Sequence, residues 1–444
     1  MGLKCAEAES LSYKNILLKA IENSYDLKLT SKDISISKAS LKEAKSDYYP
    51  TIKTGFNSEY TNDLKNGTGI VSIGGTFIPP NTMFQNMLSV NMNYNLYDFG
   101  VRGKKVSIAK KDVTEKAVTY KQTLRELKMN IVDLYTQALL CYKEMKIKQD
   151  TLTVDRELFN MKERLYDAGA VSKVDIANEA IKVAKLVDDI DVMKIRLKNI
   201  LEDISFYTRE KYTSENLEVL DFDEDNIVPV NNITPPVPGI YQLQAEKKDI
   251  IELPEQYDFK KSEEYQIYQL EIEKKKAELS ILQRQRLPQF GFYTNYILYG
   301  SQRSNVGDAF KDLEQTNVSF GISSSLPVFD GFKNQAQRKK TELEIARLEI
   351  ERDKKVAELT SKYEKLHKTN IYYNEEIKAQ ENLLAKVNDK LDMIDKLDQQ
   401  KLVNKTDVLQ NKEELLSQKL ELEKTLTNKI SNFKKLQIMS QELN

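Results

Sequence analysis

Few side chains in this chain could do covalent or metal chemistry. His367 is the single histidine among 444 residues, and Cys5 and Cys141 are the two cysteines. His367 lies between Leu366 and Lys368 on a helical stretch with no second ligand nearby, which reads as a solvated surface histidine. Cys141 falls at a core position of an apolar heptad and reads as a small buried residue. Cys5 could carry an acyl chain, but Lys4 precedes it without an apolar run, so lipidation is not expected. These residues can build neither a disulfide framework nor a zinc site, and no metal or cofactor is expected. The chain holds no P-loop, nucleotide fingerprint or nucleophile elbow, so no enzyme is expected. The glycines from Gly67 to Gly75 are followed by no helix that could cradle a phosphate, and read as an exposed loop. What remains are carboxylates at turns. Thr406-Asp407 opens a helix, where capping and the helix dipole favour an acid. Asp175 holds the matching place in an earlier hairpin, as a cap or a salt bridge at the turn.

The elements that carry these turns are long and charged. Charged residues make up 30% and hydrophobic ones 40% of the chain, with 15 Gly and 10 Pro. The 67 basic and 68 acidic side chains leave a net charge of −1. That balance offers nucleic acid no basic footprint. No apolar run reaches about 18 residues, which excludes a transmembrane helix but not a membrane β-barrel of short alternating strands.

The chain repeats itself. Tyr97-Asp98-Phe99-Gly100 and Phe329-Asp330-Gly331-Phe332 each end a strand and open a long helix, and their aspartates are 232 residues apart. Val171-Ser172-Lys173-Val174-Asp175 resembles Val403-Asn404-Lys405-Thr406-Asp407 at the same offset of 232. Two landmarks with one offset imply duplication. The first repeat occupies 1–207, with a helix over Leu11 to Lys45, strands at 51–61 and 88–97 around a Gly/Asn-rich loop, and a helical hairpin over 102–207. A linker follows at 208–261, where prolines such as Pro229, Pro235 and Pro254 collect. The second repeat occupies 262–436, with strands at 289–299 and 317–329 and a hairpin over 334–436; a tail covers 437–444. Proline ends the leading helix of each copy, at Pro50 and Pro288.

The strands alternate with period two, so Val90, Met92, Tyr94 and Leu96 take one face and Asn91, Asn93 and Asn95 the other. In the second copy Val318, Phe320 and Ile322 oppose Ser319, Ser323 and Ser325. A half-buried strand of a soluble sandwich alternates in the same way. Four strands, however, cannot close a barrel by themselves, and open edges in lipid leave backbone groups unpaired. A membrane reading therefore requires several subunits to pool strands. The hairpins carry heptads such as Leu124, Leu127, Ile131, Leu134, Ala138, Cys141 and Met145. A second stripe, Val132, Tyr135, Leu139 and Tyr142, implies two neighbours per helix, as in a stave of a hollow cylinder. About 65 helical residues span roughly 100 Å. Long charged heptads also suit a solvated rod-like scaffold.

Over essentially its whole length the chain resembles the TolC outer-membrane efflux protein family. The resemblance rests on Ala44-Lys45, Tyr49-Pro50, Leu96-Tyr97-Asp98-Phe99-Gly100, Pro327-Val328-Phe329-Asp330-Gly331 and the hairpin turn residues Tyr166, Gly169, Ser172 and Asp175. The second turn departs from the pattern, with Lys401 in place of Gly and Asn404 in place of Ser. The resemblance implies a mainly α fold with membrane β. Long helical hairpins would form a periplasmic coiled-coil barrel, and four strands per subunit would join a trimeric 12-stranded outer-membrane β-barrel, with the linker as an equatorial belt. It implies a homotrimer in outer-membrane lipid serving as passive exit duct for a tripartite efflux pump or type I secretion system. Its partners would be a periplasmic adaptor (membrane fusion) protein and an inner-membrane pump. The tips Gly169, Ala170, Val171, Ser172, Leu402, Val403 and Asn404 would meet the adaptor. Asp407 would form the channel constriction, with Gln410 one turn later where the family often has a second acid; three converging carboxylates attract cations. Asn91, Asn93, Asn95, Ser319, Ser323 and Ser325 would face the barrel lumen. The alternative is a soluble periplasmic coiled-coil scaffold or adaptor, although adaptors carry one hairpin rather than two.

Overall fold

The computed structural model describes residues 12–61, 83–212, 254, 257–302 and 304–440. Cys5, the loop glycines Gly67 to Gly75 and most of the 208–261 linker lie outside the described residues. The elements follow one another as α1 (Tyr13–Asn23), α2 (Tyr25–Ser46), β1 (Thr51–Thr61), β2 (Met83–Tyr97), α3 (Val101–Asp167) and α4 (Lys173–Thr208). After a 3-10 turn at Phe259–Lys261 come α5 (Glu263–Arg284), β3 (Gln289–Gln302), α6 (Val306–Lys311), β4 (Gln315–Ser325), α7 (Lys333–Gln399) and α8 (Lys405–Ser440). The chain forms two compact units, and each draws on both copies of the repeat. One unit comprises Ile34–Lys116 and Tyr268–Glu351; the other comprises the remainder.

The first unit holds a four-stranded antiparallel sheet in the order β1-β2-β3-β4. Its register aligns Ile52 with Met92, Val90 with Tyr296, and Tyr296 with Val318. Because side chains alternate, every partner of an apolar residue falls on the same face. In the same unit Lys274 pairs with Asp112 (2.7 Å) and Glu115 (2.6 Å), and Lys111 pairs with Glu273, which ties α5 to the start of α3.

The second unit packs the long hairpins. Its core gathers Ile16, Ala20, Leu127, Ile131, Tyr135, Leu139, Leu197, Leu201 and Ile204 from α1, α3 and α4. Several of these belong to the two apolar stripes of α3, and each is buried. Packing of such a face, more than propensity, stabilises long helices. Polar pairs set the register between hairpins. Thr136 donates to Ser431 (2.8 Å), Lys143 meets Glu423 (3.0 Å), Lys405 meets Glu157 (2.9 Å), and Lys435 meets Asp133. As the α3 number rises the α8 number falls, so these helices run antiparallel.

Several boundaries depart from the sequence expectation, and four of the departures have a clear physical reason. The leading helix breaks at Ser24, which is extended (ψ 127°) and whose hydroxyl accepts from Leu27 N–H at 3.3 Å, the local competition with helix that serine favours. β2 starts at Met83 rather than 88, since its register with β1 continues to Met83 and that with β3 to Phe84. β3 likewise runs to Gln302 rather than 299, because its pairing with β2 continues to the Phe84 level. β4 ends at Ser325 rather than 329: Leu326 and Val328 keep the alternation, but Pro327 has no N–H for the ladder.

Candidate functional site: a two-faced sheet and two hairpin tips

On one face the sheet presents Ile52, Phe56 and Tyr60 of β1, Leu88, Val90, Met92 and Tyr94 of β2, Phe292, Tyr296 and Leu298 of β3, and Val318, Phe320 and Ile322 of β4. These side chains are not packed away. Val318, Phe320 and Ile322 are 64%, 77% and 72% exposed. A water-soluble sandwich would cover such a face.

The opposite face carries Asn91, Asn93, Asn95, Ser319, Ser323 and Ser325 together with Lys53, Asn57, Ser89, Tyr293 and Asn295. Asn295 donates to Ser319 at 3.3 Å, and Asn91 donates to Ser89 at 3.4 Å. Tyr293 lies over Gly321, where an added Cβ would sit 2.6 Å from the phenol oxygen. The glycine makes room for the ring. At the foot of this face is a cavity of about 850 Å³, lined by Asn93, Asn95, Asp98, Arg102, Ser323 and Ser325 among others.

The strand-to-helix corner below β2 is a charged cap. Asp98 accepts from the backbone N–H of Gly100 (3.0 Å) and Arg102 (2.9 Å), and from Arg102 Nε at 3.0 Å. Phe99 and Gly100 are left-handed (φ 52° and 82°), which turns the chain within two residues. Arg102 also lies 5.0 Å above the Tyr48 ring. At the second corner Asp330 accepts from Asn334 N–H at 2.9 Å, with Gly331 and Phe332 left-handed. The sequence marks these aspartates as landmarks; their capping role, and Arg102, emerge only from the geometry, although the Asp98/Arg102 spacing of four is the helical ion-pair signal.

Both hairpin tips use the same backbone device. Ala170 N–H bonds Leu165 C=O (2.8 Å) and Gly169 N–H bonds Tyr166 C=O (2.7 Å), a Schellman closure with Gly169 at φ 72°. Leu402 N–H bonds Leu397 C=O (2.9 Å) and Lys401 N–H bonds Asp398 C=O (2.8 Å), with Lys401 itself at φ 57°. The missing glycine leaves the turn geometry unchanged and transfers the left-handed strain to a lysine. Ser172 caps α4: its hydroxyl accepts from Asp175 N–H (3.2 Å), and the Asp175 carboxylate accepts from Ser172 N–H (3.0 Å) and from its hydroxyl (2.7 Å). That hydroxyl, and then the backbone N–H, hold the Asp175 carboxyl below its ordinary range. Asp407 and Gln410 lie together on an exposed face of α8, while Val408 and Leu409 between them are buried. Asp407 takes no ion pair among the described residues.

Above the tips, Lys182 of α4 reaches Asp155 of α3 (3.3 Å) and Glu413 of α8, joining the two hairpins. Asp155 is 1% exposed at its side chain; burial, then the Glu413 charge, raise its carboxyl above the usual range against the pull of Lys182. Nothing in the sequence singled out this cluster, because its members lie on three separate heptad patterns. Farther along α3, Lys128 is buried beside Arg125 and Glu263, and burial followed by the Arg125 charge lowers it to about 8.

The order of elements, twice a strand pair followed by a long helical hairpin, is matched by the family model for outer membrane efflux proteins over residues 16–185 and 264–438. The chain belongs to the outer membrane efflux protein family. It is an outer-membrane efflux channel protein with most of its chain in the periplasm, and the family is a transport family rather than an enzyme class. Solved structures share the fold. The outer membrane protein VceC of Vibrio cholerae superposes with a TM-score of 0.75 at 12% identity, covering 97% of each chain. The Campylobacter jejuni CmeC outer membrane channel gives 0.75 at 10% identity over 97% of this chain and 87% of its own. The open state of the Neisseria gonorrhoeae MtrE outer membrane channel gives 0.68 at 12% identity over 100% and 94%. No curated protein matches the chain by sequence.

Proposed function

We propose that three copies of this chain close one twelve-stranded barrel in the outer membrane and continue it as a tunnel that passively conducts the cargo of a partner pump. The observation that carries the reading is the sheet's pair of free edges. Among the described residues β1 and β4 each pair on one side only, and the face they share is apolar and exposed. In lipid such edges cost several kcal/mol per unpaired backbone group, and pairing β1 of one copy with β4 of the next removes the cost. The dimensions agree. From Phe84 to Tyr94 the apolar band of β2 covers about 33 Å along the strand, which a tilt of about 40° turns into roughly 25 Å of membrane height. Exposed apolar residues on α4, with Val174, Ile181 and Ile195 at heptad spacing, offer the second seam a neighbouring hairpin needs.

In this assembly Asn91, Asn93, Asn95, Ser319, Ser323 and Ser325 line the lumen. Gly169 to Ser172 and Leu402 to Asn404 form the end that meets a periplasmic adaptor. Asp407, exposed and without an ion pair among the described residues, is repeated three times about the axis with Gln410 beside it, a ring that narrows the entrance and favours cations. The test is planar-bilayer recording of the purified trimer beside Asp407→Ala. The variant is expected to conduct more and to lose cation preference; unchanged conductance and selectivity would remove Asp407 from the constriction. A wild-type protein that stays a water-soluble monomer would overturn the assembly itself.

A further inference from the structure

The apolar face of the sheet contains two residues that lipid should not see. Asn86 and Gly300 are partners in the β2–β3 register, on the same face as Leu88, Val90 and Leu298. An amide there would be costly in hydrocarbon, and a glycine leaves a gap in the packed surface. The structure fills this notch with α6. Asn86 is fully buried, and its Nδ2 donates to the Val306 carbonyl at 3.0 Å. Gly300 lies directly beneath the helix; a Cβ at that position would collide with the carbonyls of Ala309 and Asp312, and Ala309 is fully buried. The Phe310 ring meets Phe56 of β1 edge-on at 5.9 Å.

Six residues are too few for a helix to persist on its own in water. This one is fixed by its seat and by a capping network, in which Asn305 Oδ1 accepts from Asp308 N–H (2.8 Å) while Ser304 and Asn305 donate to the Asp308 carboxylate at 2.8 Å. Its outer surface then continues the sheet's apolar band: Val306 is 49% exposed and Phe310 56%, beside Phe56 at 55%. Asp308, Lys311 and Asp312 complete the turn with polar groups.

We propose that α6 is an interfacial wedge, seated on the outside of the barrel near its loop end, with Val306 and Phe310 in the outer-leaflet lipid at the boundary between headgroups and acyl chains. The inference rests on the barrel reading above. Its occupant is lipid because the helix surface is continuous with the band that barrel closure exposes to lipid, at the band's rim, where aromatic and mixed polar residues anchor a protein to the interface.

The chain contains no tryptophan, so single introduced tryptophans report without background. Phe310→Trp and, separately, Phe320→Trp at mid-strand on the apolar face are reconstituted as full-length protein in phosphatidylcholine vesicles brominated either near the headgroup or near the chain end. Phe310→Trp is expected to emit to the blue of free tryptophan, to be quenched more by the shallow bromine than by the deep one, and to be shielded from aqueous iodide. Introducing Gly300→Val beneath it, which displaces the helix, should shift its emission to the red. Iodide quenching of Phe310→Trp as strong as that of free tryptophan, with no bromolipid quenching, overturns the wedge if Phe320→Trp is still quenched by lipid. Loss of lipid quenching at Phe320→Trp as well would instead sink the barrel reading beneath it.

Discussion

Proline substitutions in β4 separate a barrel seam from an ordinary sheet edge. Val318 and Ser319 are adjacent in mid-strand, so one sends its N–H toward β3 and the other sends it away. An open edge in water tolerates proline at the outward-facing position, because that N–H has no protein partner to lose. A seam does not. There the missing N–H leaves a carbonyl of the next subunit unpaired in hydrocarbon, at a cost of several kcal/mol. Three copies repeat the fault, so the trimer loses on the order of 10 kcal/mol, comparable to the whole stability of a typical domain. The assay is the yield of heat-labile trimer in unheated gels after detergent extraction of Val318→Pro and Ser319→Pro, with helix content by circular dichroism as the folding control. Both variants are expected to keep their helices and lose the trimer. If either one assembles to the wild-type level, β4 is not a seam, and the reasoning from free edges fails.

The remaining predictions concern the hairpins. Lys401→Gly should stabilise the second tip by about 1 kcal/mol by relieving its left-handed backbone, and Gly169→Ala should destabilise the first by a similar amount, both read from denaturant midpoints. Lys128 is lowered from 10.5 to about 8, so between these values the unfolded chain binds the extra proton and stability rises with pH, by on the order of 3 kcal/mol in full; Lys128→Met should raise the melting temperature at pH 7 and abolish that rise. Lys182→Met leaves the buried Asp155 facing Glu413 without its cation and should cost about 2 kcal/mol. Adding Asp155→Leu should recover part of that loss, and a double variant no more stable than Lys182→Met alone would count against the pairing.

What was legible in the sequence was whatever a single segment states about itself. Period-two alternation in β2 and β4 fixed which residues share a face, and the register extended that assignment across four strands as far as the bulge between Asn95 and Tyr97, where β2 shifts against β3. The heptads of α3 and the Asp175/Asp407 spacing declared the hairpins in the same local way. α6 was not legible, because six residues carry no periodic signal and their support comes from Asn86 and Gly300, which lie outside the strands expected at 88–97 and 289–299. The Lys182 cluster was hidden for a related reason: Asp155, Lys182 and Glu413 each look like ordinary solvated heptad charges until three helices bring them together. Pro327 shows the reverse case, where alternation was read too far although the residue that ends the ladder stands in plain view.

The two copies of the repeat solve one local problem with unequal means, and the difference has a direction. Each must pass from strand to helix within a few residues, and each does so with an aspartate cap and two left-handed residues. In the first copy the corner lies inside the sheet, below β2, which has a strand on either side; Asp98 and Arg102 are nearly buried there, and Arg102 also donates to the Asp47 and Leu96 carbonyls at 3.4 Å. In the second copy the corner follows the edge strand β4, and Val328, Phe329 and Phe332 stand 89%, 76% and 69% exposed. Duplication supplies the same corner twice, yet among the described residues only the first is covered. Apolar side chains of that size, left open beside an unpaired edge, are what a surface awaiting its own kind looks like. On the trimer reading, the adjoining copy's β1 and the corner beneath it supply the missing strand and the missing cover in one contact. The asymmetry between the repeats and the free edges of the sheet are then a single fact seen from two places.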